Sequence, residues 1–147
     1  MISLKNLLLL LIASLLFTSC TEANDADNKK ISETYITDVN DAYMRWSGTK
    51  PTADVHMEKA QYWQSSHFTN EYILYFKLKP DTKWWSQFTE QNSLEIKNNE
   101  WIDSKDTPEW FTPSQNCIQH GPRDFDQGSR YFRDTLTEEC FIYEVQL

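Results

Sequence analysis

Over residues 71–79 the side chains alternate: Tyr72, Leu74, Phe76 and Leu78 fall on one side, and Ile73, Tyr75, Lys77 and Lys79 on the other. A period of two predicts a half-buried strand, which Pro80 and Asp81 stop. The same alternation returns over residues 139–146, where Phe141, Tyr143 and Val145 oppose Cys140, Ile142 and Glu144. Residues 129–134 precede it across a polar turn at 135–138, the pattern of an antiparallel hairpin. The aromatic, mixed stretch at 55–65 gives a weaker strand signal, and residues 94–97 a short one.

Two stretches carry a helical period instead. Ser32 is placed to cap a helix whose apolar positions are Tyr35, Ile36, Val39, Ala42, Tyr43 and Trp46, with Gly48 as its end. Thr82 or Asp81 can cap a second, shorter helix in which Trp84, Trp85, Phe88 and Gln91 share a stripe that should pack on the sheet. Pro108 and Pro113 bracket Glu109, Trp110, Phe111 and Thr112, and two prolines so close forbid a long regular element there. Strands in runs with two flanking helices predict a single small α+β domain over residues 31–147, mainly an antiparallel sheet with two packed helices.

The opening of the chain follows a different rule. Lys5 precedes an apolar run at 7–17, then Thr18, Ser19 and Cys20. This is the charged, apolar and small-residue order of a secretory signal. Eleven helical residues at about 1.5 Å each reach roughly 16 Å, about half the hydrocarbon thickness of a bilayer, which argues against a spanning helix. Residues 17–20 resemble the lipobox of bacterial lipoproteins, with Phe17 standing where that family usually has leucine. The resemblance covers the first twenty residues only. It implies removal of residues 1–19 as a signal peptide and lipid on the Cys20 sulfur, so that the protein is held on a membrane of the cell envelope, the outer membrane if the cell is Gram-negative. Residues 20–30, small, polar and charged, read as the lipidated cysteine and a flexible tether.

Cysteine number supports the same assignment. Three cysteines are an odd count for an oxidising compartment, and giving Cys20 to lipid leaves Cys117 and Cys140 as an expected disulfide, closing about two dozen residues and worth roughly 3 to 4 kcal/mol.

Losing residues 1–19 removes Lys5 alone among the 14 basic side chains and none of the 22 acidic ones, so the formal charge moves from −8 to −9. That balance excludes nucleic acid as a partner, since phosphate neutralisation needs a basic face. It leaves the acyl chains to do the anchoring, and it favours basic partners. With only three glycines, Gly48, Gly121 and Gly128, the chain has no glycine-rich phosphate loop, and no cofactor is expected.

Catalytic patterns are equally sparse. His56, His67 and His120 show no zinc-ligand spacing, and no nucleophile elbow occurs. The densest polar stretch runs from Arg123 through Asp124, Asp126, Gly128, Arg130 and Arg133 to Asp134. Asp124 and Asp126 around Gly128 resemble part of a calcium loop. However, Gly128 takes the third ligand position, and Thr135 stands where the closing glutamate belongs. An ion-paired lead-in to the hairpin is the simpler reading, and no metal is expected.

Tryptophan offers a binding surface. Helical spacing assigns Trp84, Trp85 and Phe88 to the core, whereas Trp110 and Phe111, pinned between prolines, are the surface candidates. The sequence thus predicts a lipid-tethered binding module of the envelope. It would recognise a protein, such as a basic one, or a glycan through Trp110, Phe111, Arg123, Asp124, Asp126 and Arg130. The rival is a small hydrolase pairing Asp124 or Asp126 with His120 or Glu109 across a cleft, which makes enzymatic activity the less favoured expectation. A purely structural envelope lipoprotein is the third.

Overall fold

The computed structural model describes residues 32–98, 101 and 103–147. The signal segment, Cys20 and the tether expected over residues 1–30 lie outside them. No helix among the described residues is long and apolar enough to cross a membrane.

The fold is α+β, a seven-stranded antiparallel sheet with two helices. In chain order these are β1 (Thr34–Ile36), α1 (Val39–Ser47), β2 (Val55–Gln64), β3 (Tyr72–Pro80), α2 (Thr82–Gln91), β4 (Leu94–Ile96), β5 (Cys117–Pro122), β6 (Arg130–Asp134) and β7 (Cys140–Gln146). The strands lie in the order β1-β2-β3-β7-β6-β5-β4. The outermost strands, β1 and β4, have three residues each, and short edges limit pairing with other chains.

Local chemistry sets the helix ends. The Asp38 carboxylate accepts from the Asn40 and Asp41 amides, both at 3.0 Å, and so caps α1. Gly48 closes that helix at φ 77°, a left-handed conformation a side chain would oppose. Asp81 caps α2 by accepting from the Trp84 amide at 2.7 Å. The first helix therefore starts six residues later than the apolar period suggested. Thr34–Ile36 is a strand paired with Tyr62–Gln64, and Ser32 caps nothing.

β3 is not half-buried as expected, because apolar material covers both its faces. On one face Leu74, Phe76 and Leu78 join Tyr62, Tyr131, Cys140 and Ile142 beneath α1 and α2, which add Ala42, Tyr43, Trp85 and Phe88. On the other, Tyr75 joins Phe132 and Phe141 under the 97–116 connection, which contributes Trp101, Trp110 and Phe111. Phe111 is 2% exposed, so it is a core residue and not the surface platform the flanking prolines suggested. Trp110 packs half-buried against it at 6.1 Å between rings.

The expected disulfide is also corrected. Cys117 and Cys140 are both free thiols. Cys117 pairs with Asp134 and Cys140 with Arg133, so β6 lies between them. Two strand steps separate them by roughly 10 Å, beyond the 4.4 to 6.8 Å Cα separation a disulfide tolerates. Asp134 and Arg133, as sequence neighbours on a strand, also point to opposite faces, and the two thiols follow them: Cys117 into the 97–116 side, Cys140 into the helix side.

Candidate functional site

On the helix-covered face, β7 presents Glu144 next to Tyr72 on β3 and Tyr131 on β6. Its position follows from the alternation that buries Cys140 and Ile142 on the same side. Glu144 Oε1 accepts from the Trp46 indole Nε1 at 3.1 Å and, through a short contact, from the Tyr72 hydroxyl. Oε2 accepts from the Tyr131 hydroxyl at 3.0 Å. Three elements of the sheet and one helix thus converge on a single carboxylate.

The surroundings are aromatic. A cavity of about 470 Å³ opens beside Glu144, walled by Tyr43, Trp46, Tyr72, Trp84 and Phe88 and rimmed by Gln87, Gln91 and Asn92. Trp84 stacks on Phe88 at 4.9 Å with planes 10° apart, and Trp46 meets Phe76 edge to face at 5.5 Å. Glu144 and Tyr72 also wall a second cavity of about 450 Å³, with Pro122, Phe125, Gln127 and Tyr131 among its other sides. Burial, and then the charge of Glu144, raise the Tyr72 and Tyr131 hydroxyls well above the ordinary phenol range. Both therefore stay protonated as donors at neutral pH.

The residues singled out in the sequence are not gathered in this way. Asp126 is committed to Arg130, whose Nη1 donates to its two carboxylate oxygens at 2.8 and 2.9 Å. Burial opposes ionisation of Asp126, but the hydrogen bonds from Arg130 and Gly128 and the charges of Arg130 and Lys97 outweigh it and hold the carboxyl below its ordinary value. Arg130 is buried and also donates to the Ser129 carbonyl at 2.7 Å. The Arg130–Asp126 pair is of the kind expected for an ion-paired lead-in to the hairpin. Asp124 and Arg123 are exposed, with Arg123 only loosely paired to Glu95 at 3.9 Å. His120 stacks edge-on against Trp85 at 5.6 Å beneath α2, whereas Glu109 is exposed in the connection over the other face. None of the four cavities described among these residues is lined by Asp124, Asp126, His120 or Glu109. Among the described residues no cluster of His, Cys, Asp and Glu could hold a metal ion.

Sequence reading missed Glu144. Its only signal was an acid on the inward side of an otherwise apolar strand face, shared with Cys140 and Ile142. Trp84 packs partly buried against the core, as its assignment expects, and with Phe88 it also walls the cavity, while Trp85 and Phe88 are buried.

Comparison of the chain with protein-family models, curated proteins and solved structures finds no match.

Proposed function

We propose that this is a lipid-anchored binding protein of the bacterial cell envelope, with lipid on Cys20 and its ligand site in the aromatic cavity beside Glu144. The observation that carries the reading is the cavity itself, five aromatic side chains around one carboxylate that Trp46, Tyr72 and Tyr131 hold in place. Concave sites in which aromatic walls surround a few fixed polar groups are a usual form of ligand pocket. The lipobox resemblance supplies the anchor.

Hydrolysis fits less well. A carboxylate-pair mechanism needs a second acid about 5 to 9.5 Å away, and Glu144 is the one Asp or Glu lining either cavity. Its hydrogen-bond donors are two phenols with raised pKa and an indole, none of which releases a proton near neutrality. The site holds a ligand without a group to transform it.

Two measurements test the two halves of the proposal. Labelled palmitate should enter the wild-type protein and not the Cys20→Ala variant; equal labelling removes the anchor. Recovery of bound material from envelope extract should fall in Trp84→Ala, at the cavity wall, and hold in Trp110→Ala, with both variants checked for folding by circular dichroism. Undiminished recovery by Trp84→Ala refutes the cavity as the site.

A further inference from the structure

We infer that the ligand of this cavity is an organic cation, an alkylammonium group carried either by a small amine or by a lysine side chain of a basic partner. The inference rests on the Glu144 cavity being the ligand site. It is carried by a charge that the protein leaves uncompensated.

All three hydrogen bonds to Glu144 come from neutral donors. They orient the carboxylate and spread its charge without cancelling it. Neither cavity is lined by a Lys or Arg, and among the described residues no basic side chain forms an ion pair with Glu144. Several nearby cations are engaged elsewhere: Arg45 donates to the Gln64 side chain, Arg130 is paired with Asp126, Arg133 with Glu138 and Lys97 with Glu95. A half-buried anion without a counterion is costly. A ligand cation supplies one.

The walls suit the same occupant. Rings of Tyr43, Trp46, Tyr72, Trp84 and Phe88 carry negative π faces, and an ammonium group among them gains cation–π attraction in addition to the carboxylate. An anion is repelled by Glu144 and by the formal charge of −8 of the chain. A neutral sugar can stack on the rings, but a carboxylate offers about four acceptor sites and three are already filled. Charge, unlike lone pairs, is not used up by the internal hydrogen bonds. The net charge also accelerates encounter with a basic partner, an advantage that salt removes.

The test is a fluorescence titration of the lipidated protein in detergent, following tryptophan emission. The probes are tetramethylammonium, neopentyl alcohol as a neutral compound of the same branched shape with one added hydroxyl, a lysine-containing peptide and N-acetylglucosamine. Tetramethylammonium should bind saturably, about tenfold more tightly than the alcohol, as expected for one added cation–π and ion-pair contact, and more weakly as salt rises. Trp84→Ala should weaken it without loss of fold. Glu144→Gln should reduce the preference for the cation over the alcohol, leaving only the part the rings supply. Binding of the peptide as well assigns the cation to a protein partner; binding of the small ammonium alone assigns it to a free amine.

Equal affinity for ammonium and alcohol, or binding of the sugar alone, overturns the cationic ligand while leaving the cavity as the site. If no probe binds and recovery from envelope extract is also insensitive to Trp84→Ala, the cavity reading falls with it.

Discussion

Cys117 and Cys140 are one strand apart from a shared neighbour, yet they serve different cores. Burial pushes the Cys140 thiol up to about 12 and raises that of Cys117 as well, so neither is a ready nucleophile at neutral pH. Alkylation of the denatured protein without reductant should therefore modify both, and the thermal midpoint should be the same with and without reductant. A midpoint that drops on reduction would show a disulfide. Phe111 gives the second expectation at this scale. It meets Tyr75 at 5.1 Å and Phe141 at 5.6 Å between ring centroids, and Phe111→Ala should destabilise the fold by about 3 to 5 kcal/mol in denaturant unfolding, the usual cost of emptying an aromatic core position. The flanking prolines were legible in the sequence. Burial of the ring between them was not, because it depends on Tyr75 and Phe141, which are far away along the chain.

Among the elements, the strongly periodic ones and the short edge strand β4 were legible, and the opposite edge strand β1 was not. Alternation located β3 and β7, the polar turn before β7 located β6, and the Trp84, Trp85 and Phe88 stripe located α2. The β1 residues Tyr35 and Ile36 also fit a helical period when joined to Val39 and Ala42. Pairing with β2 decides against it, and Asp38 then becomes the cap. Asp38→Ala should cost about 1 kcal/mol of stability, as at other N-caps, whereas Ser32→Ala should cost nothing measurable by the same denaturant titration. β5 gives no strand signal in the sequence, because Cys117, Gln119 and Gly121 alternate with Ile118, His120 and Pro122 in no clear apolar pattern. Its strand conformation comes from ladders on both sides, to β4 and to β6.

For the whole molecule, two-sided burial of one sheet ties stability to pH. Burial beneath α2 holds the His120 imidazole below its ordinary 6.5, against backbone hydrogen bonds to Ile118 and Tyr131. The unfolded chain thus binds a proton more readily than the folded one, so stability should fall as pH drops from about 7 through 6.5 toward 5. His120→Gln should flatten that part of the profile in chemical denaturation; an unchanged slope would remove His120 as its source. A second loss belongs at lower pH. Hydrogen bonds from Ser114 and from the Thr137 and Leu136 amides hold Asp134 at about 2, and the stability they contribute disappears as pH falls from the ordinary carboxyl range through that value.

Hydrophobic periodicity by itself determined the α+β class, the central antiparallel strands and the Trp-bearing helix, because these depend on spacing within short stretches. The lipobox-like residues pointed to an anchor at Cys20 in the same local way. That Phe111 is buried, that the two cysteines cannot meet, and that Glu144 gathers Trp46, Tyr72 and Tyr131 were decided by the tertiary structure. Each depends on strand order and register, which bring residues up to 98 positions apart within hydrogen-bonding distance. No pattern of neighbours along the chain encodes that proximity.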